Sequence, residues 1–363
     1  MTQKPSQRIR QLFLAGTSVI ALGAASLMTA NFASATTTDD SAPDEPVTAP
    51  SDCELYELPY PDEYGMSFGL AMDPTGTKLA GRGYPEDPAA GYERYLMVWE
   101  EGEYTEIDVD GEGQSISGIN SHGDASVNTH IDDSATPKAY VDGDVVELAH
   151  DHPGQARDIN EDGVIVGVIE RNDPLDFMPV YWENPDSEPV QLELPEGSET
   201  GVAASIDGDT IVGSVAHPDQ EGIVPAAWEL DGSVTELPVP DDADEYFGGA
   251  NDIRDGWATG TLAEDPSSDS VAVRWNTEGD VEVLDDGRAA GVNAEGWVAG
   301  QTLAGEPVIW ADGERIALPV VDDGELANNQ ALDISDDGST VVGTVDTDSE
   351  QGSSLAAAEW TCE

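Results

Sequence analysis

Seven segments of this 363-residue chain share one order of sequence features, and this repetition limits the fold more than any other property. In each segment a polar turn with a glycine separates two apolar stretches, and a second glycine follows four or five residues later. After a variable acidic loop come an apolar stretch that ends in an aromatic residue and a final alternating stretch. The turn glycines recur every 44 residues or so, about the spacing of a four-stranded propeller blade.

The repeat is defined by three positions whose residue types recur in almost every copy. The turn glycines are Gly76, Gly123, Gly163, Gly208, Gly256, Gly296 and Gly338. The second glycines are Gly81, Gly167, Gly213, Gly260, Gly300 and Gly343, and Asn128 is predicted to take this place in the second copy. The aromatic residues are Trp99, Tyr140, Trp182, Trp228, Trp275, Trp310 and Trp360.

Each recurring residue has a physical role in an antiparallel sheet. A turn glycine allows the positive φ that a tight hairpin needs. An Asn, Asp or Ser shortly before it, such as Asn160, accepts hydrogen bonds from the turn backbone. Glycine inside a strand is unfavourable unless another group packs closely there, so we expect the aromatic ring to cover the second glycine. The sequence therefore predicts an all-β fold, a seven-bladed β-propeller of four-stranded blades.

The two ends of the chain complement each other. The seventh copy stops at Trp360–Glu363, where its fourth strand would begin, whereas Cys53–Pro59 (CELYELP) resembles the fourth strands of other copies. An N-terminal strand that completes the last blade would close a ring of blades. Cys53 and Cys362 are the two cysteines of the chain, and in an exported protein we expect a disulfide between them. Two free or intermolecularly bonded thiols are the alternative.

The first 51 residues carry the features of an export signal and a linker. Three basic residues precede an apolar stretch from Leu12 to about Met28, and Ala33-Ser34-Ala35 forms a cleavage site. Residues 1–35 are therefore predicted to be a secretory signal peptide, with a membrane anchor as the alternative. Residues 36–51 predict a disordered acidic Thr/Pro linker, and the propeller is expected over residues 52–363. This organisation predicts a secreted, extracellular protein.

The chain is strongly acidic, with 75 Asp and Glu against 13 Lys and Arg and a formal net charge of −62. Such a charge disfavours nucleic acid and anionic membrane surfaces as partners. No stretch after the signal is apolar enough to predict a membrane span. Both a solvated acidic surface suited to saline surroundings and a cation-binding role are compatible with the charge. We expect a monomer whose partner is an unidentified extracellular ligand or protein.

One copy contains a candidate calcium site. Asp158, Asn160 and Asp162, followed by Gly163, match the opening of a calcium-binding loop, D-x-N-x-D-G. The twelfth position is Ile169 instead of Glu, and the repeat by itself explains the Asn and the Gly. Calcium is therefore a candidate cofactor, and a protein without a cofactor is the other interpretation.

The histidines offer a second candidate metal site. His150 and His152 lie in a loop after a fourth strand, and His122 and His130 precede them in sequence. Their convergence would be needed to hold a metal, and solvated loop histidines are the alternative. The sequence has no G-x-S-x-G or His-Glu-x-x-His motif, so no catalytic residue is assigned.

Segments such as ARDINEDGVIVG, ALDISDDGSTVVG and VPAAWELDG share the pattern A-x-D-I-N-x-x-G-x-V-V-G followed by an A-x-x-W strand. In this pattern, over roughly residues 66–362, the chain resembles the HAF-type extracellular repeat of bacterial secreted proteins. The His-Ala-Phe part of that signature is replaced, for example by Pro225-Ala226-Ala227-Trp228. The resemblance implies an exported bacterial repeat protein and contributes no catalytic residues.

The sequence thus predicts a secreted, non-enzymatic binding or interaction module that presents acidic propeller rims to an unknown ligand. Variable loops and a central channel suit the capture of a ligand. One alternative is an extracellular hydrolase or lyase acting on a polymer, which needs converging acids, His or Trp at one rim. The other alternative is a cation-dependent or salt-adapted surface protein.

Overall fold

The structure is a computed structural model that describes residues 47–86, 94–171, 176–217, 222–240, 247–264, 268–321, 328–349 and 352–363. The predicted signal peptide, residues 1–35, and residues 36–46 of the predicted linker lie outside the described residues. The described part of the chain forms 27 β-strands and no helix, and hence no helix that would cross a membrane. The predicted all-β class is confirmed, and most sheets are antiparallel and four-stranded.

Strand β1 (Cys53–Glu57) precedes the first repeat, and repeats 1 to 4 each form one sheet whose strands follow the chain order. Repeat 1 contains β2 (Tyr64–Met72), β3 (Lys78–Pro85), β4 (Tyr95–Glu100) and β5 (Glu103–Ile107). Repeat 2 contains β6 (Glu112–Ile119), β7 (Ala125–Ile131), β8 (Ser134–Val141) and β9 (Asp144–Glu147). Repeat 3 contains β10 (Gly154–Ile159), β11 (Ile165–Glu170), β12 (Phe177–Trp182) and β13 (Val190–Gln191). Repeat 4 contains β14 (Thr200–Asp207), β15 (Thr210–His217), β16 (Gly222–Glu229) and β17 (Val234–Glu236).

Repeats 5 and 6 form one continuous seven-stranded sheet because a single strand belongs to both. Its strands are β18 (Phe247–Arg254), β19 (Trp257–Ala263), β20 (Ser270–Trp275), β21 (Val281–Val292), β22 (Val298–Thr302), β23 (Pro307–Ala311) and β24 (Glu314–Ala317). The first part of β21 pairs with β20, and the part from Gly287 onward pairs with β22. Strand β21 is therefore both the fourth strand of repeat 5 and the first strand of repeat 6.

Repeat 7 takes its fourth strand from the N-terminal end of the described chain. Its sheet has the order β1-β27-β26-β25, with β25 (Gln330–Ile334), β26 (Thr340–Ser349) and β27 (Gly352–Cys362). Strand β1 pairs antiparallel with β27 so that Cys53 lies opposite Cys362, and the two are joined by a disulfide. Next to this bond, the Ser51 amide donates to the Glu363 carbonyl oxygen at 2.9 Å, and Pro50 is buried. The last residues of the predicted linker therefore contact the fold.

The hydrophobic core is divided into clusters that each fill the space between the sheets of successive repeats. A further cluster joins the last repeat to the first: Val342 and Ala357 of repeat 7 pack with Met72 and Trp99 of repeat 1. Burial of apolar side chains between sheets stabilises a repeat only when its neighbour is present. The packing between repeats thus extends from each repeat to the next and from the seventh back to the first.

Tryptophan indoles tie five of the seven repeats, all but repeats 2 and 6, to the end of the preceding fourth strand. Nε1 of Trp182 donates to the Ala149 carbonyl oxygen at 2.9 Å, directly beyond the fourth strand of repeat 2. Nε1 of Trp99 donates in the same way to the Pro59 carbonyl oxygen, just beyond β1, at 2.6 Å. Repeat 6 differs, because β21 continues where the other fourth strands end, and Nε1 of Trp310 has no partner within the described residues.

The turn geometry agrees with the sequence expectation. All seven turn glycines have positive φ, between 52° and 89°. Oδ1 of Asn160 accepts hydrogen bonds from the amides of Asp162 and Val164, as the turn pattern predicts. Its Nδ2 donates to the Gly208 carbonyl oxygen of the next repeat at 2.8 Å. One side chain therefore stabilises both its own turn and the contact between repeats.

Candidate functional site

The first strand of every repeat contains a β-bulge at the same position, where one residue has no partner on the second strand. The bulged residues are Leu70, Ser117, Arg157, Ala204, Asn251, Ala290 and Leu332. A bulge bends its strand and re-aims the neighbouring side chains. All seven bulged residues line one cavity of about 180 Å³, which we call the bulge cavity.

The second glycine of the repeat lies opposite the residue before the bulge, as Gly213 does opposite Ala203. A methyl group at Gly213 would overlap the Val202 carbonyl oxygen, so the bulge itself excludes a side chain there. The predicted covering by an aromatic ring is also found, since a Cβ atom at Gly260 would lie 2.9 Å from Cζ3 of Trp275. In the repeats that have it, the second glycine therefore lies close to both the bulged strand and the tryptophan.

Repeat 2 departs from this pattern, and the prediction that Asn128 takes the place of the second glycine is wrong. Val127 pairs with Ile116, the residue before the bulge, and Asn128 comes one residue later. The Asn128 side chain instead bonds the next repeat, because its Nδ2 donates to the Ala156 carbonyl oxygen and its Oδ1 accepts from the Ala156 amide, both at 2.8 Å.

The residue after each bulge is a small residue or an aspartate. In chain order these residues are Ala71, Gly118, Asp158, Ser205, Asp252, Gly291 and Asp333. Each carboxylate accepts a hydrogen bond from a backbone amide of the following repeat: Asp158 from Ile206 at 3.0 Å, Asp252 from Val292 at 2.8 Å and Asp333 from Met72 at 3.0 Å. These bonds connect repeats 3 to 4, 5 to 6 and 7 to 1.

Two glycines make room for these carboxylates. A Cβ atom at Gly291 would lie 2.8 Å from Cα of Asp333, and one at Gly118 would overlap Oδ1 of Asp158. The glycines of repeats 2 and 6 are thus explained by the aspartates of repeats 3 and 7.

A single hydroxyl lies between two of the carboxylates. Oγ of Ser205 is 2.7 Å from Oδ2 of Asp158 and 2.8 Å from Oδ1 of Asp252. Because a hydroxyl has one proton to donate, both contacts are hydrogen bonds only when one carboxyl is protonated. Burial and the neighbouring Asp252 raise the pKa of Asp158 to about 6, which agrees with a proton held in this group.

Arg254, which also lines the cavity, is paired with carboxylates. Nη1 of Arg254 lies 3.1 Å from Oδ1 of Asp207, and its Nε lies 3.5 Å from Oδ1 of Asp336. Burial acts to lower the pKa of the Arg254 guanidinium, but Asp207 and Asp336 raise it above its ordinary value. Arg254 is therefore held as a cation that neutralises carboxylates of two other repeats.

Arg157 also lines the bulge cavity but has no such partner. Among the described residues its guanidinium has neither an ion pair nor a hydrogen bond, and its Nε is buried. Burial alone accounts for the lowered pKa of this guanidinium, and no carboxylate raises it. The side chain is partly buried: its Nε is enclosed without a partner, so this residue distinguishes the cavity from the paired charges around it.

The predicted calcium ligands have different surroundings in the structure. The Asp158 carboxylate faces the bulge cavity and is bonded to Ser205 and Ile206, whereas Oδ1 of Asn160 accepts from the turn amides that include that of Asp162. Among the described residues no group of three or more His, Cys, Asp or Glu is arranged to hold a metal ion. Calcium binding at these residues stays a prediction.

The histidines named from the sequence do not converge on the bulge cavity. Nδ1 of His150 is 3.0 Å from the His152 carbonyl oxygen, and Nε2 of His150 is 3.6 Å from Glu147. Nδ1 of His122 is 3.8 Å from Glu161. None of these histidines is among the described residues that line the cavity.

Sequence reasoning did not find the bulge cavity. The bulged residue lies four to six residues before the turn glycine, and its type changes from repeat to repeat, so it did not belong to the recurring pattern. A bulge cannot be read from residue types, so the convergence of these seven positions required the structure.

Comparison with known proteins gives information about the fold. No protein-family model matches the chain, and no curated protein sequence is similar to it. Among solved structures, the acylaminoacyl peptidase of Pyrococcus horikoshii aligns with a TM-score of 0.55 and 16% identity over 80% of this chain. The aligned part is 51% of the peptidase, so the chain spans about half of that protein's length.

A second structure matches along nearly its whole length. YCF48 from Cyanidioschyzon merolae aligns with a TM-score of 0.52 and 9% identity, covering 85% of this chain and 98% of YCF48. At such identities the likeness concerns the fold alone. The chain thus has an all-β, propeller-like fold.

Proposed function

We propose that this chain is a secreted, non-enzymatic binding module built as a closed seven-bladed β-propeller, and that the bulge cavity is its ligand-binding site. The main support is that all seven repeats contribute their bulged residue to a single cavity that contains the unpartnered Arg157. Ligand sites of proteins are commonly such concave places where a few polar groups converge. The HAF-type repeat pattern and the predicted N-terminal signal peptide support export.

Closure of the ring is supported by four features that join repeat 7 to repeat 1. They are the β1–β27 pairing with its disulfide, the cluster around Trp99 and Val342, the Trp99 bond to Pro59 and the Asp333 bond to Met72. In this arrangement the bulge cavity lies on the axis of the ring, where the first strands of all blades meet.

The closed ring predicts a large stability loss when the ends are released. Replacing both cysteines, Cys53→Ser with Cys362→Ser, removes a crosslink across 309 positions and should lower the free energy of unfolding by about 4 kcal/mol. Urea denaturation measures this loss, and the native protein should weigh two mass units less than its reduced form. Two free thiols in the native protein would contradict the closure.

The polymer hydrolase alternative has less support. The cavity carboxylates Asp158, Asp252 and Asp333 already accept backbone hydrogen bonds that hold repeats together. No histidine is found among the described residues that line the cavity. The likeness to a peptidase covers about half of that enzyme at 16% identity, and we do not transfer its activity.

A ligand screen with a blocked cavity tests the proposed site. Ala290 lines the cavity, whereas Ala317 is exposed on β24, so Ala290→Leu fills the cavity and Ala317→Leu is the matched control. Small acids, amino acids and oligosaccharides are screened by ligand-observed NMR. Ligands should bind the wild type and Ala317→Leu and lose binding to Ala290→Leu. Equal binding to both variants, or no binding to any protein, would reject the bulge cavity as the site.

A further inference from the structure

The charged side chains that line the bulge cavity fall into two groups. Asp158, Asp252, Asp333 and Glu161 accept hydrogen bonds from neighbouring repeats, and Arg254 is paired with Asp207. These charges hold the repeats together, and their hydrogen-bonding atoms are engaged by the protein. Among the cavity-lining residues that the structure describes, Arg157 is the charged one left without a partner.

The lack of a partner for Arg157 is unusual within this chain. Four arginines have a carboxylate oxygen at 2.6 to 3.1 Å: Arg171, Arg254, Arg274 and Arg315. Arg82 and Arg94 lie over the ring of Tyr84, and Arg288 is exposed to solvent. With 75 acidic residues the chain could easily provide a counter-ion for Arg157, yet the described residues place none beside it.

The Arg157 guanidinium stays protonated, because arginine keeps its proton in proteins. Its side chain is partly buried with Nε enclosed, so part of its hydration is lost on folding, and a bound anion would offset that cost. The planar fork of N–H donors fits two oxygens of one carboxylate or phosphate group. Ser117, the bulged residue of the preceding repeat, also lines the cavity and adds a hydroxyl donor.

We propose that the bulge cavity binds a small oxyanion, the carboxylate or phosphate group of a small molecule, through the guanidinium of Arg157. This inference depends on the proposed function, because it names the ligand class of the same cavity. The volume of about 180 Å³ is close to that of an engineered cavity of about 150 Å³ that holds benzene, so the bound part is a small group. A polymer would place no more than one terminal group there.

Anion titrations of the whole protein test the proposal. Inorganic phosphate, acetate and succinate are titrated by calorimetry in Tris chloride at constant ionic strength, with the wild type, Arg157→Met and the control Arg288→Met. The wild type and Arg288→Met should bind one anion per chain, and Arg157→Met should bind it at least about tenfold more weakly. The preferred anion distinguishes a phosphate ligand from a carboxylate ligand. Crystals soaked in selenate should show anomalous density beside Arg157.

Stability without anion provides a second readout. Arg157→Met removes an unpartnered charge but keeps an apolar chain, so its melting temperature should exceed that of the wild type. If Arg157→Met does not fold, Arg157→Lys keeps the charge without the fork and should also bind phosphate at least about tenfold more weakly. Equal anion binding by the wild type and the Arg157 variants, or an empty cavity in selenate, would overturn the proposal.

The outcome also separates this inference from the proposed function. If screened ligands no longer bind Ala290→Leu but the binding of every oxyanion is independent of Arg157, the cavity is a binding site and the proposed ligand class is wrong. If Ala290→Leu changes no binding at all, the proposed function fails together with this inference.

Discussion

Two neighbouring regions of each repeat use the same backbone differently. In the glycine–tryptophan stack, formed by residues such as Gly260 and Trp275, the residue types recur from repeat to repeat because the bulge and the ring leave no room for a side chain. The bulged residue of the first strand directly follows the residue that pairs with the second glycine. At this position, in the bulge cavity, the backbone geometry recurs but the side chains range from Ala204 to Arg157. Residues that build the repeat are therefore repeated, whereas residues available for a ligand are found where the backbone alone is repeated.

The largest difference between the two regions is expected at Gly213. Gly213→Ala places a methyl group on the Val202 carbonyl oxygen and should lower the free energy of unfolding by more than about 3 kcal/mol, since backbone must move. Ala204→Ser, at the bulge, adds an atom of similar size that faces the cavity and should change stability by less than about 0.5 kcal/mol. Urea denaturation of both variants measures the contrast. Similar losses would mean that the bulge position is packed as tightly as the stack.

A second difference is expected in the pH dependence of stability. The folded pKa of Asp158, raised to about 6 from an ordinary 3.8, means that the folded state binds more protons than the unfolded state between these values. Stability from this group is therefore fully present below pH 4 and is lost as the pH rises through 6, by about 2 to 3 kcal/mol.

Asp158→Asn imitates the protonated carboxyl and removes this loss. Urea midpoints between pH 4 and 7 should fall less steeply for Asp158→Asn than for the wild type, so that the variant is relatively more stable at pH 7. The exposed Asp231, whose pKa is lowered by hydrogen bonds from Ser233, provides the control, and Asp231→Asn should give a curve nearly parallel to the wild type. A parallel curve for Asp158→Asn would show that Ser205 does not mediate a shared proton.

This contrast also explains how much was predictable. The turn glycines and the Cys53–Cys362 pair could be predicted, because glycine marks a positive φ and two cysteines in an exported chain indicate a disulfide. The recurrence of the turn glycines in turn predicted the all-β class. The position of Asn128 was misassigned, because a one-residue shift within a strand does not change the pattern of residue types enough to be seen. The cavity was not predictable, because its seven contributing positions share a backbone irregularity and lie about 40 residues apart or more along the chain.

The smallest expected difference lies within the glycine–tryptophan stack itself. In the wild type, Nε1 of Trp228 donates a 2.7 Å hydrogen bond to the Glu193 carbonyl oxygen. Trp228→Phe removes this donor and leaves the oxygen without that hydrogen bond. We expect a loss of about 2 kcal/mol in the free energy of unfolding. Trp310→Phe makes the same change in size where Nε1 has no partner among the described residues, and it should cost about 1 kcal/mol less.

Paired urea denaturation of Trp228→Phe and Trp310→Phe isolates the hydrogen bond, because both indoles are buried in equivalent strands. If the two losses are equal, the bond from each tryptophan to the preceding repeat contributes nothing measurable, and the recurrence of tryptophan is explained by ring packing over the glycine alone. If the loss is larger for Trp228, the continuous strand β21 has replaced, at the junction of repeats 5 and 6, a bond that tryptophans make at five other junctions.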